Sequence, residues 1–157
     1  MKKYIGKIKK LINKKLDIEK QKKAIFKNTQ IGDMIWAQMP LNKKELSKIE
    51  ESHRIRPYLV AEKEKNFLLC YESSSKKRKS YNNYEEYCIN KLKYKNKKSS
   101  WIDLKNIKKI SIKNIRREYI KISELDLKRI EKRICIEQNR NNCEVVRFRK
   151  INLYRNR

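Results

Sequence analysis

Through the first 28 residues, apolar side chains recur every three to four positions. Ile5, Ile8, Ile12 and Leu16 share one face of a helix, and lysines fill most of the other. The spacing predicts an amphipathic helix over residues 1–28, packed on the rest of the chain by that stripe with its basic face in solvent. Thr29 to Asp33 breaks the pattern at Gly32, one of only two glycines. Asp33–Met39 then reads as a strand closed by Pro40. Residues 42–52 read as a short helix with Leu46 and Ile49 turned inward. Residues 56–63 read as a second strand with Pro57 near its start, where a missing N–H costs least. After a turn at 64–66, residues 67–71 form a third strand, and the pair predicts an antiparallel hairpin.

Residues 72–80 lose the apolar pattern and predict a polar, basic loop. Residues 84–89 suit a fourth strand, and 91–98 are either a basic edge strand or a loop. Strand-like pattern resumes at 101–104 and again at 107–112. Ser123 suits a helix N-cap, with Glu124 and Asp126 in the first turn, where the helix dipole favours acids. Leu125, Leu127, Ile130 and Ile134 carry helical spacing to about residue 138, and Asn139–Asn142 ends it. Residues 143–157 alternate enough for a last strand or extended arm. One domain over 1–157 follows: a helical extension (1–28), a body of short strands with a C-terminal helix (31–138) and a tail (143–157). The fold class is α+β.

Charge changes this picture more than composition does. Lys plus Arg number 44 against 18 acids, a formal net charge of +26. Such a chain repels itself, and a polyanion relieves the repulsion with release of condensed counterions. Nucleic acid is the expected partner. No stretch approaches the roughly 20 apolar residues of a spanning helix, and the N-terminus lacks the apolar core of a signal peptide. A cytoplasmic protein is expected. Cys70, Cys88, Cys135 and Cys143 form no Cys-x-x-Cys pair, and His53 is the sole histidine. That argues against a zinc site and for four reduced, mostly buried thiols. No metal and no small-molecule cofactor are expected.

Three segments in order resemble the PemK/MazF-like toxins. Gly32-Asp33-Met34-Ile35-Trp36-Ala37 is similar to the family's opening strand, and Arg56-Pro57-Tyr58-Leu59-Val60 to its second. The third runs from Trp101 to about Ile134: a strand, a basic stretch (Lys113, Arg116, Arg117), a small N-cap and a helix. Between them, Ser73-Ser74-x-Lys76 falls where the family carries a hydroxyl pair followed by a basic residue. The resemblance covers about residues 31–136. It implies a small SH3-like barrel of bent antiparallel strands, with a helix after the first strand and a C-terminal helix, to which residues 1–28 add a basic helix. It implies metal-independent endoribonuclease activity. The charge best suits the toxins of type III toxin–antitoxin systems (ToxN-, AbiQ- and CptN-like), which a structured repeat RNA inhibits. The expected partners are then an RNA antitoxin and an RNA substrate, in an RNA-bridged oligomer.

Metal-free RNA cleavage uses the RNA's own 2′-OH as nucleophile and leaves a 2′,3′-cyclic phosphate and a 5′-OH. The protein must move two protons and stabilise charge on the phosphorane. A single histidine excludes a two-histidine mechanism within one chain. The catalytic candidates are therefore Arg56, Ser73, Ser74, Lys76 and His53. Arg56 can hold two phosphate oxygens, a serine can donate to a third, and Lys76 can balance charge. The serine register stays open between Ser73/Ser74 and Ser74/Ser75. Lys77, Arg78, Lys79, Lys93, Tyr94 and Lys95 are candidates for RNA binding, with Tyr81, Tyr84 and Tyr87 nearby to stack on bases. Trp36 reads as a core residue before a stacking platform. The alternatives are a non-catalytic basic RNA-binding protein, a toxin inhibited by a protein antitoxin and, weakest, a membrane-surface protein.

Overall fold

The computed structural model describes residues 2–141. It shows an α+β fold with three α-helices and one antiparallel sheet of six strands. Helix α1 (Lys2–Asn28) precedes β1 (Asp33–Gln38), a short α2 (Lys43–Ser47) and β2 (Ile55–Lys63). Then come β3 (Phe67–Ser74), β4 (Glu86–Ile89), β5 (Ser100–Ser111), β6 (Ile115–Lys121) and α3 (Glu124–Asn141). The strand order is β4-β5-β3-β2-β1-β6.

Side chains of a strand alternate between faces, so a sheet buried on both sides needs unbroken apolar runs. Met34-Ile35, Tyr58–Ala61 and Leu68–Tyr71 supply them. Met34, Leu59, Tyr71 and Ile102 pack with Leu127, Ile130 and Ile134 of α3. The alternate residues, Ile35, Tyr58, Val60 and Cys70, pack with Ile110 and Ile115, and the end of α1 adds Ile25 and Phe26.

The sheet is strongly bent. In a flat sheet β5 and β6, four strand spacings apart, would lie about 19 Å from each other. Only the 3₁₀ turn Ile112–Asn114 joins them, and four residue steps reach about 14 Å at full extension. The connection closes only if the sheet curls to bring the end of β5 towards β6. Ile110 and Ile115, on either side of that turn, then share one cluster.

Several expectations need correction. The helix at 1–28 forms, but its stripe does not pack: Ile5, Ile8, Ile12 and Leu16 are each about half exposed. At 1.5 Å per residue α1 is about 40 Å long, and only its last turns rest on the body. There Lys22 donates to the Lys113 carbonyl, and Lys63 donates to the carbonyls of Lys27 and Thr29 at the helix end. A cation on the final carbonyls satisfies orphan acceptors and the helix dipole together. Gly32 ends the connection at φ 88°, where a side chain would be strained, and its N–H reaches Val60.

The helix expected at 42–52 is broken in two. A capping box between Asn42 and Glu45 starts α2, which ends by Lys48, and a separate 3₁₀ turn holds Glu51–His53. The loop expected from residue 72 begins later, because β3 continues through Ser74. The two segments at 101–104 and 107–112 are one strand, β5, and the basic stretch around Arg116 and Arg117 is the edge strand β6. Of the residues with helical spacing in α3, Leu125 is exposed. Of the described cysteines, Cys70 alone is buried, while Cys88 is half-buried and Cys135 exposed. Residues 143–157, read as a strand or arm, lie outside the described residues, as does Cys143.

Candidate nucleic-acid groove

Four neighbouring strands build one open groove of about 740 Å³. Ser73 of β3, Pro57 of β2, Trp36 of β1 and Arg117 of β6 line it in the order of the strands themselves. Trp36 pairs with Pro57 on one side and Arg117 on the other. The turn before β2 brings Ser52 and His53, and the start of β2 brings Arg56, to one rim, and residues 95–100 form another. Arg56, Lys95, Lys97, Lys98 and Arg117 face Glu118 as the lone carboxylate of the lining. An anionic, extended ligand fits that charge.

Five expected site residues meet here: His53, Arg56, Ser73, Ser74 and Lys95. Arg56 donates its Nε–H to the His53 carbonyl at 3.2 Å. That bond ties the turn that carries His53 to the start of β2, which carries Arg56. His53 Nδ1 lies 3.6 Å from a Glu50 carboxylate oxygen, with both side chains exposed.

The serines separate clearly. The β3–β5 ladder shifts register between Tyr71 and Ser73, and such a bulge re-aims the side chains beside it. Ser73 is fully buried, lines the groove and makes no hydrogen bond through its hydroxyl. Ser74 also lines the groove, but its hydroxyl is engaged. It donates to the Lys76 carbonyl at 2.7 Å and accepts from the Lys76 N–H at 3.2 Å. Lys95 takes a left-handed φ of 53° at the end of a turn closed by the Asn96 N–H on the Lys91 carbonyl. For a residue with a side chain that conformation costs about 1–2 kcal/mol.

The other expected residues lie elsewhere. Lys76 is exposed and does not line the groove, and Lys79 is exposed on the same loop. Lys77 sits over the Trp101 ring. Arg78 is half-buried over Tyr81, 3.8 Å from the buried carboxylate of Glu86.

Lys93 and Tyr94 have a structural task. Both donate to Asp126, and Tyr87 donates to the other carboxylate oxygen at 2.5 Å. Burial alone would raise the pKa of Asp126, but the bonds from Lys93, Tyr87 and Tyr94 outweigh it and hold the carboxyl at about 2. Lys93 is raised by the same bond, and Tyr87 is pushed up to about 12 by burial and its bond to Asp126. The network staples the 91–96 turn to the start of α3, where Ser123 caps the Asp126 N–H. Tyr87, buried, has no face free for a base, and Tyr81 is half-buried against Asp103.

Five charged or aromatic groove residues were not among the named candidates: Lys97, Lys98, Arg117, Glu118 and Tyr119. Lys113 with Arg116 and Arg117, two residues of β6 itself, read as a basic stretch and hid the strand. One signal was available. Arg117 and Tyr119 stand two apart around Glu118, the spacing that puts two side chains on one sheet face.

No protein-family model matches the chain, and no curated protein matches it at a significant level. Among the described residues, no helix is long and apolar enough to cross a membrane. Among them, no three His, Cys, Asp or Glu side chains are grouped to hold a metal ion.

Proposed function

We propose that the chain is an endoribonuclease of the PemK/MazF-like kind, cutting RNA in this groove without a metal to leave 2′,3′-cyclic phosphate and 5′-OH ends. The observation that carries the reading is the convergence of His53 and Arg56, from the entry to β2, with Ser73 of β3 on one cationic groove. The bent antiparallel sheet and its C-terminal helix support an SH3-like barrel, the form that the resemblance implies.

In this mechanism the scissile phosphate sits against Arg56, whose guanidinium is fixed by the His53 carbonyl. Two non-bridging oxygens take the Arg56 fork, and the Ser73 hydroxyl, buried in the free protein, must rotate into the groove to donate to one as charge develops on the phosphorane. His53 and Glu118 are the groove groups suited to accept the 2′-OH proton and to return one to the departing 5′-oxygen. Lys95, Lys97 and Lys98 hold neighbouring phosphates. The charge of +26 favours an RNA inhibitor over a protein one, and hence a type III toxin acting in the cytoplasm.

The test is incubation of purified protein with RNA in chelator and analysis of the ends. Cyclic phosphate formation that falls about 100-fold in Arg56→Ala supports the reading. Intact RNA under conditions where the protein binds it refutes it. A second reading, a non-catalytic RNA-binding protein, draws on Ser74 being tied into its turn and Lys76 lying outside the groove. Binding without cleavage would establish that one.

A further inference from the structure

Trp36 breaks the rule that its strand otherwise follows. Met34, Ile35 and Ala37 are each at most 1% exposed and belong to one core cluster or the other. Trp36, the largest apolar side chain on the strand, belongs to neither cluster and is half-buried in the groove lining. A core role does not account for it. Its neighbours are also unusual. The Arg117 guanidinium lies 5.1 Å from the indole centroid, and Tyr119 contacts the ring at 5.0 Å with the planes tilted by 57°. Arg117 makes no side-chain hydrogen bond or ion pair among the described residues beyond that contact. Arg56 is the cross-strand partner of Ala37, directly beside Trp36.

We infer that Trp36 is the platform of a nucleobase subsite, on which one unpaired base stacks with Arg117 clamping it and Tyr119 holding the indole in place. An aromatic face open to a groove, edged by a planar cation, suits the π-face of a base. Arg56 lines the same groove, so the backbone of a strand held at Trp36 runs past a phosphate-binding cation. The ligand class is single-stranded RNA with at least one unstacked base; a duplex keeps its bases stacked and presents only phosphates here. The inference rests on the groove being an RNA site, but not on its being catalytic.

The experiment uses full-length protein carrying Trp101→Phe, so that Trp36 is the remaining tryptophan. Its fluorescence is titrated with a 2′-O-methyl single-stranded oligonucleotide that cannot be cleaved. The same length with abasic sites, the same sequence as a duplex, and inorganic polyphosphate serve as comparisons. Quenching by the single strand alone is expected. Equal quenching by polyphosphate or duplex, or none while the single strand is bound, overturns the subsite. Trp36→Leu should weaken single-strand binding about tenfold, within the range for one base–aromatic stack, and leave polyphosphate binding unchanged. Trp36→Phe, which keeps a ring and guards against misfolding, should retain most of the affinity. Uniform loss of all ligands in both variants would make Trp36 a structural wall and overturn the inference. Because the probe cannot be cleaved, stacking without any cyclic phosphate from natural RNA would sink the nuclease reading and leave this one standing.

Discussion

Ser73 and Ser74 are adjacent and chemically identical, yet they should respond in opposite ways to loss of the hydroxyl. Ser73 carries a buried hydroxyl without a partner, and an unsatisfied buried group costs about 1–3 kcal/mol. Ser73→Ala should therefore hold or raise the denaturant midpoint while lowering RNA cleavage at least tenfold. Ser74→Ala removes two bonds of a surface turn. It should cost about 1 kcal/mol and leave cleavage near wild type. Urea melts and cleavage rates on both variants decide it; activity lost at Ser74 and kept at Ser73 would reverse the assignment. Asp126 offers a second residue-level test. Its carboxyl titrates at about 2 in the folded chain against an ordinary 3.8. A depressed folded value gives stability that is full above the ordinary pKa and lost as pH falls towards 2. About 2 kcal/mol should disappear between roughly pH 4.5 and 2. In Asp126→Asn, urea midpoints should show a smaller drop over that window.

Among the elements, α1 and β6 best separate what periodicity tells from what it does not. The helical period of α1 was plain in the sequence, and the helix forms over Lys2–Asn28. Periodicity says which residues share a face, not whether another surface covers that face. Only the end of α1 meets the body, through Ile25 and Phe26. Phe26→Ala should thus cost about 2–3 kcal/mol, whereas Ile8→Ser with Ile12→Ser should cost under about 1, because those side chains are already half in water. Thermal melts of the two variants measure the difference. Strand β6 was illegible for the opposite reason. As an edge strand it has one neighbour, β1, and its burial is light, so its residues are not the apolar run that marks an inner strand. Its right to be a strand comes from pairing with β1, a contact distant in sequence. The same holds for Ser73: a polar triplet reads as a loop until β5 pairs with it.

At the scale of the whole molecule, charge should set the salt dependence of binding. If Arg56, Lys95, Lys97 and Lys98 of the groove each meet a phosphate, single-stranded RNA should bind with a log–log salt slope of about −2.8. Lys97→Gln should reduce that slope by about 0.7. Filter binding across a salt series checks both. A slope much steeper than this would mean that lysines of α1 or the 76–79 loop join the contact.

The sequence by itself determined the net charge, which does not depend on folding, and it determined the inner strands β1 to β3, whose apolar runs need two covered faces. It also marked His53, Arg56 and the serine triplet as chemistry-bearing residues. Tertiary structure alone decided which of them share a site. The bend forced by the short β5–β6 link, the β3 register shift and the Asp126 staple are long-range contacts, and local pattern holds no record of them. Those contacts bring β6 to Trp36, bury the Ser73 hydroxyl, and bind Lys93 and Tyr94 to a carboxylate rather than leave them free for RNA.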